Sequence, residues 1–391
     1  MAMSHVRERA KVRDVPFARP MIGEEEREAV AEVLRGSTLV HGPKAEEFER
    51  VFRDFTGAPE AVSVSSCTAA MHLIYLYLGL VKGDEVIVPA QTHVATAHAV
   101  EITGAKPVFA DADPATGNID VRLLPELITE RTRAIAVVHF LGLPAEMEAA
   151  VAVARKHDLF VVEDCALALG SYVDDVHAGL LGDVGCFSFY PVKHITTAEG
   201  GMLITLHQGL AEKVRRLRAF GVDRTPAERT VPGMYDAPVL GINYRLNELQ
   251  AAMGVEQMKK LPDFLSARRR NAEILREELA EVTGLSLLPA GDGQFVSSNY
   301  CLGVLLDESL AERKGALVDY MRSRGVGTSV YYPQPVPHLS YYRKKYGYTL
   351  DSFPGSASIS RRIIALPVGP HLGEEDMRHI VAVFKDAVAQ R

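Results

Sequence analysis

Ser188-Phe189-Tyr190-Pro191-Val192-Lys193-His194-Ile195-Thr196-Thr197-Ala198-Glu199-Gly200-Gly201 is the stretch on which the reading of this chain turns. The run Gly185-Cys186-Phe187-Ser188-Phe189 that leads into it predicts a buried strand. Glu199-Gly200-Gly201 predicts a backbone passing close to something bulky. Between them stands Lys193. A lone lysine is ordinarily a solvated surface residue, and only this position argues otherwise. Upstream, the apolar run Leu159-Phe160-Val161-Val162 delivers Glu163-Asp164 to the end of a second buried strand. An amine able to form an imine, with a carboxylate on a neighbouring strand end, is the pair that pyridoxal phosphate requires. The lysine holds the aldehyde. The carboxylate keeps the pyridine nitrogen protonated, so the ring accepts electrons. Taken alone, Asp164 reads equally well as a helix cap. As a pyridinium partner it is a buried charge with a buried countercharge, which makes its burial tolerable. Desolvated beside a pyridinium, Lys193 has the depressed pKa of a nucleophile and proton shuttle.

Three further stretches point the same way. Ser65-Ser66-Cys67-Thr68-Ala69-Ala70 follows a strand and opens a helix. Free N–H groups and the helix dipole favour a phosphate there, and Thr68 adds a hydroxyl. By itself it is more simply a Ser/Thr helix cap; the lysine and aspartate reverse the balance. His93, in Pro89-Ala90-Gln91-Thr92-His93-Val94-Ala95, follows a strand end and either stacks on a cofactor ring or starts a helix in water. Gly241-Ile242-Asn243-Tyr244-Arg245-Leu246-Asn247-Glu248 offers an amide, a phenol and a guanidinium just before a helix, or simply a cap with an exposed arginine.

Composition narrows the class. The 391 residues suggest two or three domains, with 47% hydrophobic and 24% charged residues, ordinary for a globular protein. A net charge of −7 offers no footprint for nucleic acid or an anionic membrane. A negatively charged substrate therefore needs a local basic pocket. Cys67, Cys165, Cys186 and Cys301 form no C-x-x-C pair. That argues against a metal site or a disulfide framework and fits a reducing, cytoplasmic setting. No apolar run approaches the roughly 18 residues of a membrane span, and Met1 to Arg13 lacks the apolar core of a signal peptide.

Strand and helix patterns alternate along most of the chain. Helices are expected over Glu24–Leu34, Lys44–Phe55, Ala69–Leu78, Ala95–Ile102 and Met147–His157. Strands are expected over Ala61–Val64, Glu85–Pro89, Lys106–Ala110, Ala134–Val138, Leu159–Val162, Gly185–Phe189 and Gly201–Thr205. Several strands are continuous apolar runs, the mark of a mostly parallel sheet covered on both faces. Ligands then gather at the strand C-terminal ends. Asp223 to Leu240 reads as a long loop. Asn247–Leu279 reads as a helical stretch interrupted near Pro262. Beyond Gly284 a smaller α+β unit is expected, with strands at Tyr300–Leu306 and Gly327–Tyr332 and helices at Ser309–Arg324 and Glu374–Ala389. The division is an N-terminal arm over 1–20, a large domain over 21–260 and a small domain over 261–391.

These motifs resemble the DegT/DnrJ/StrS-type family of pyridoxal-phosphate sugar aminotransferases. The resemblance runs from about Ile22 to the C-terminal helix. It rests on Gly83-Asp84-Glu85-Val86-Ile87-Val88-Pro89, Gly104-Ala105-Lys106-Pro107-Val108-Phe109, Glu163-Asp164, Phe187-Ser188-Phe189-Tyr190-Pro191-x-Lys193, Glu199-Gly200-Gly201-Met202 and Gly241-x-Asn243-Tyr244-Arg245, in family order and spacing. It implies an α/β aspartate-aminotransferase-like fold of type I, with a mostly parallel seven-stranded sheet in the large domain. It also implies a homodimer with shared active sites. By motif position, Lys193 carries the cofactor imine, Asp164 faces the pyridine nitrogen and His93 takes the place of a ring-stacking aromatic. Ser66, Cys67, Thr68 and Ser188 hold the phosphate, and Asn243 reaches it from the neighbouring subunit. Leu167, His194, Glu199, Arg245, Tyr331 and His338 are the candidate substrate contacts. The implied substrates are a keto-deoxysugar, nucleotide-linked, and glutamate as amino donor. The chain departs from the family at Cys67, where glycine is usual, at His93, and at Leu167, where a polar residue is usual. The rival readings are transamination of a non-nucleotide keto-sugar or cyclitol, and a pyridoxal-phosphate-binding regulatory protein without turnover.

Overall fold

The computed structural model describes residues 13–224, 228 and 230–390. Most of the expected N-terminal arm, and part of the 223–240 loop, lie outside the described residues. Two helices open the chain, α1 (Glu24–Arg35) and α2 (Pro43–Thr56), followed by β1 (Glu60–Val64) and α3 (Cys67–Tyr77). Then come β2 (Glu85–Pro89), α4 (Val94–Glu101), β3 (Lys106–Ala110), α5 (Leu124–Leu127), β4 (Thr132–Val138), α6 (Met147–Lys156) and β5 (Phe160–Asp164). The short strands β6 (Tyr172–Val173) and β7 (Val176–His177) precede β8 (Val184–Ser188), β9 (Gly201–Thr205) and α7 (Gln208–Leu217). The seven expected strands form one sheet in the order β1-β9-β8-β5-β4-β2-β3. β9 runs antiparallel to both its neighbours; the other pairings are parallel. Burial explains the apolar runs: Val86, Ile87, Val88, Ile135, Ala136, Val137 and Val162 are all fully enclosed, because helices cover both faces.

Register converts this sheet into a site. Val138 on β4 lies beside Asp164 on β5, and Asp164 beside Cys186 on β8. Val64, Gly201 and Ser188 line up across β1, β9 and β8. The C-terminal ends of β1, β4, β5 and β8 thus meet at one edge, with the start of β9 between two of them.

The strand end at β5 is pinned by Glu163, the neighbour of Asp164. Glu163 is fully buried and accepts the amides of Gly179, Leu181 and Gly182 at 2.6–2.9 Å. His139 lies 2.9 Å from it through Nε2. The Ala145 amide donates to His139 Nδ1, 3.1 Å away. The ring proton therefore sits on Nε2 and points at Glu163. With both ring nitrogens engaged, His139 and Glu163 form a hydrogen-bonded clamp, and the Cys165 side chain is buried beside it.

The rest of the chain is α8 (Glu248–Leu279), β10 (Leu285–Leu287), β11 (Phe295–Val296), β12 (Leu302–Leu306), α9 (Glu308–Ala311), α10 (Lys314–Ser323), α11 (Ser340–Tyr346), α12 (Pro354–Arg362), β13 (Ile363–Leu366) and α13 (Glu374–Ala389). Three departures from expectation stand out. α8 runs unbroken through Pro262. Proline removes one backbone hydrogen bond, but Leu261 and Phe264 on either side are buried, and that packing holds the helix. The expected boundary at 260/261 therefore falls inside one continuous helix. Residues 327–332 form no strand; Ser329 makes a single bridge to Ala365, and the small sheet is β10-β12-β13. The segment 309–324 is two helices, α9 and α10, rather than one.

The segment between α10 and β13 also returns to the large domain. Val336 donates to the Ala90 carbonyl at 2.9 Å, and Asp111 accepts the Gly355 and Ser356 amides at 2.8 and 2.7 Å. Tyr342 packs edge-on against Phe109, with ring centroids 5.2 Å apart. The described part of the arm docks on the small domain, where Val15 bridges Val326. Among the described residues no helix is long and apolar enough to cross a membrane.

Glu163→Ala leaves three buried amides and an imidazole N–H without an acceptor. Thermal unfolding of that variant is expected to show a loss of about 3–5 kcal/mol; an unchanged melting curve would mean that the clamp does not hold the β5 end.

Candidate active site

A cavity of about 310 Å³ opens where these strand ends meet. Its floor is Asp164 with Val138, and its walls include Cys67, Thr68, His93, Ser188 and Lys193. Leu167, Tyr190, Glu199, Tyr331 and Tyr332 complete it.

Asp164 is only 5% exposed, and its oxygens are held by different elements. Oδ1 accepts the Ala166 amide at 3.0 Å, and Oδ2 accepts the Thr96 hydroxyl at 2.8 Å. Thr96 in turn lies 2.8 Å from the Thr92 hydroxyl. Since the Thr96 proton goes to Asp164, the Thr92 proton goes to Thr96. This two-threonine relay keeps the carboxylate an acceptor. The Cys67 thiol sits 3.3 Å from the Cys186 carbonyl and 3.8 Å from Asp164 Oδ1. Burial, and then the Asp164 charge, push its pKa well up. It is a protonated, weakly donating neighbour, and only its backbone faces the helix start.

Lys193 follows the β8 end through a turn in which its amide donates to the Tyr190 carbonyl at 2.9 Å. Burial lowers the pKa of its amine, with Asp164 and Cys67 acting in the opposite sense. Among the described residues no group hydrogen-bonds or ion-pairs with this amine; the Tyr300 ring lies 5.5 Å away. Tyr300 is itself tied to Tyr331 by a 2.8 Å hydroxyl contact. His93 is the cap of α4: its Nδ1 accepts the Ala95 amide at 3.2 Å. Burial first, then Lys193, lowers its pKa. It is a neutral ring with the proton on Nε2, at once a helix cap and a wall of the cavity, 6.1 Å from the Tyr332 ring.

The start of α3, where a phosphate was expected, has a steric signature. Ser66 caps α3 by accepting the Ala69 amide at 3.0 Å, and its O–H remains a donor. The amides at the first helical positions have no acceptor within the helix. A Cβ on Gly201 would sit 2.4 Å from Ser66 C and 2.6 Å from Cys67 N. The bulk that Gly201 makes room for is therefore the backbone of the α3 start, brought against the β9 start by the Val64–Gly201–Ser188 alignment.

Not every expected residue reaches the cavity within one chain. His194 is buried behind Lys193 against Tyr300, ring centroids 5.8 Å apart. His338 is buried too, its Nε2 on the Ser352 carbonyl at 2.7 Å. The Arg245 guanidinium lies over the Phe220 ring at 5.1 Å. Asn243 is exposed and pairs only its backbone, with Ala219. Tyr332, expected with Tyr331 and Pro333 to supply substrate contacts, lines the cavity. Thr92, Thr96 and Tyr300 belong to the site's surroundings without having been singled out as site residues. Thr92 and Thr96 carried a signal, one helical turn apart beside His93; Tyr300 arrives from distant sequence. A second cavity of about 310 Å³ lies between the 113–122 and 289–295 segments and contains neither Lys193 nor Asp164. Three of its four acids are engaged locally, Asp120 with Arg122, Asp113 with the Ala115 amide and Asp292 with the Phe295 amide.

Pyridoxal phosphate fits these residues: an unpaired, desolvated amine, a fixed buried carboxylate and a helix start with unpaired amides, for which Gly201 makes room, surround one cavity. The comparisons agree. The model of the DegT/DnrJ/EryC1/StrS aminotransferase family matches residues 20–385. The spore coat polysaccharide biosynthesis protein SpsC of Bacillus subtilis (strain 168) is 36% identical over 378 residues, 96% of this chain and 97% of that protein. Spr1654 from Streptococcus pneumoniae, solved in PLP and PMP forms, matches the PLP-form chain with a TM-score of 0.90 at 27% identity, covering 96% of this chain and 98% of the other. DesI, solved in the presence of its TDP-sugar product, gives a TM-score of 0.86 at 30% identity, covering 97% and 94%. The fold is thus that of the type I aminotransferases. The chain belongs to the DegT/DnrJ/EryC1/StrS aminotransferase family, and its enzyme class is the pyridoxal-phosphate-dependent sugar aminotransferases.

Two measurements probe this geometry. In apoprotein, labelling of Lys193 by an amine-selective reagent, read by peptide mass spectrometry against surface lysines, should rise with pH at a midpoint below theirs; a midpoint at or above theirs would contradict the desolvated amine. Gly201→Ala should weaken retention of the cofactor on dialysis, because the α3 start must shift by several tenths of an ångström; unchanged retention would show that the corner tolerates it.

Proposed function

We propose that this enzyme moves an amino group from an amino acid, glutamate, to a keto-deoxysugar carried on a nucleotide, with the cofactor bound covalently through Lys193. The observation that carries this reading is the unpaired, burial-destabilised amine of Lys193 in the same cavity as Asp164. Bound pyridoxal phosphate supplies an aldehyde that carries the amino group and a ring that accepts the electron pair. The protein does the rest. Asp164, locked by Thr96 and Ala166, presents a carboxylate to the ring nitrogen and stabilises its protonated form, an electrostatic contribution of the kind that dominates such sites. The Nζ of Lys193, neutral when displaced, takes the proton from the donor's Cα and later returns one to the sugar carbon. Neutral His93 gives the ring an uncharged face. Tyr331 and Tyr332 limit water, and Leu167 makes the adjoining wall apolar.

Nucleotide linkage is supported by DesI, whose structure contains a TDP-sugar product. A homodimer is supported by the exposed apolar residues Val231, Met234, Val239 and Leu240, the last 86% exposed, in the segment that leads to Asn243. In such a dimer the Asn243 amide of one copy reaches the phosphate corner of the other.

The test has two halves. Glutamate added to the holoenzyme should convert the visible cofactor band to the pyridoxamine band, and a screen of nucleotide keto-sugars should restore it. A band unmoved by any amino acid favours a regulatory protein, and restoration only by free keto-sugars or cyclitols overturns the nucleotide linkage. Lys193→Ala should lose the visible band and all multiple turnover; retained turnover would remove Lys193 from its role.

A further inference from the structure

A lysine amine with no hydrogen-bond or ion-pair partner still needs a surface to rest on. Behind Lys193 that surface is an aromatic face: Nζ lies over the Tyr300 ring, 5.5 Å from its centroid. Tyr300 is held from several sides and is only 3% exposed. Its hydroxyl is 2.8 Å from that of Tyr331, which lines the main cavity. Gln91 fixes Tyr331 in turn, donating from Nε2 to its carbonyl at 3.0 Å. The Tyr300 carbonyl accepts Arg268 Nη1 at 2.8 Å, and the guanidinium carbon lies 5.9 Å from the ring centroid. Arg268, on α8, is buried and has its pKa brought down to about 10 by burial, so it stays charged in neutral solution.

The other groups around the amine divide by sign. On the cavity side, Asp164 at the β5 end and Glu199 before β9 favour an ammonium. Cys67 at the α3 start and the phenols of Tyr331 and Tyr332 are kept neutral by burial, and Tyr190 completes that side. Behind the amine, Arg19 and Arg268 oppose an ammonium, and among the described residues that line this space there is no acid. His93 at α4, His194 and His371 have pKa values lowered by burial and stand as neutral rings. The Tyr300 face is what the rear wall offers a charged amine in place of a carboxylate.

We propose that Tyr300 is a positioning residue of the reaction, its ring face being the rest on which the Lys193 side chain carries a proton. This rests on the transaminase reading above. There the displaced amine takes a proton from the donor's Cα, the electron pair of the broken C–H bond passing to the cofactor ring, and later gives the proton up. The amine thus alternates between neutral and charged. An aromatic face attracts the charged form and is nearly indifferent to the neutral one. A carboxylate in the same place would lock the ammonium into an ion pair. A wall of aliphatic carbon would leave desolvation unopposed, and burial already lowers the pKa of this amine. The ring offsets part of that desolvation, and no hydrogen bond has to break when the amine turns back to the cavity.

The test replaces residue 300 by phenylalanine and by phenylalanine carrying one, two or three ring fluorines. Shape is nearly constant along the series, while each fluorine draws electron density off the ring face. In apoprotein, the pH midpoint of Lys193 labelling in Tyr300→Phe should stay close to that of wild type. It should then fall stepwise with fluorine, by roughly one pH unit in all. A flat fluorine series would overturn the role of the ring. So would a shift in Tyr300→Phe as large as that whole span, which would assign the effect to the hydroxyl bond with Tyr331. In the holoenzyme, the limiting rate of cofactor-band conversion by glutamate should fall several-fold along the series at an unchanged half-saturating concentration. An unchanged limiting rate, with or without a change in half-saturation, would overturn the proton-carrying role. If wild type responds to no amino acid, the transaminase reading fails, and the apoprotein series alone decides whether the ring supports the charged amine.

Discussion

Asp164 is a buried anion that the fold must keep charged, and most of the architecture around the cavity answers that requirement. Its oxygens are held by Ala166 just beyond β5 and by Thr96 on α4, with the Cys67 thiol near. Its backbone is fixed by register between β4 and β8. The next residue back, Glu163, is clamped by three amides and His139. One strand end thus carries two adjacent carboxylates with opposite duties. Glu163 points into the fold and spends every lone pair on structure. Asp164 points into the cavity and keeps acceptor capacity for a ligand. A strand's alternation of faces is what separates the two.

The cations follow a complementary logic. Among the described residues neither Lys193 nor Arg268, both desolvated, has a carboxylate partner within ion-pairing distance, although the surface has many lysine– and arginine–carboxylate pairs. The Lys193 amine is thereby left unpaired in the cavity. Tyr300 makes the arrangement possible, because its ring face accepts cations from water-poor surroundings without supplying a full negative charge. Its hydroxyl bond to Tyr331 ties that platform to the opposite wall.

Much of this was legible in the residues. Continuous apolar runs such as Val86–Val88 and Ala134–Val138 could only be strands buried on both faces, and the sheet contains all seven that were expected. Lys193 and Asp164 could be paired because each ended a buried run. The less legible parts share a cause. The 327–332 run looks like a strand, yet it touches the edge strand β13 at a single bridge, Ser329 to Ala365. Pro262 looks like a break, yet buried neighbours on both sides outweigh one lost hydrogen bond. His194, beside Lys193 in sequence, turns away from the cavity to pack on Tyr300.

Local sequence therefore determined the elements, the amine and the carboxylate that share the cavity, and the glycine packed against the start of α3, since each depends on burial pattern or backbone sterics within a few residues. Tertiary structure alone decided which distant groups surround them: Thr96 on Asp164, Tyr300 under Lys193, Arg268 without a counterion. Those contacts join residues far apart in the chain. Their energies come from desolvation and from which partners packing brings near or keeps away, quantities that exist only once the strand ends have converged.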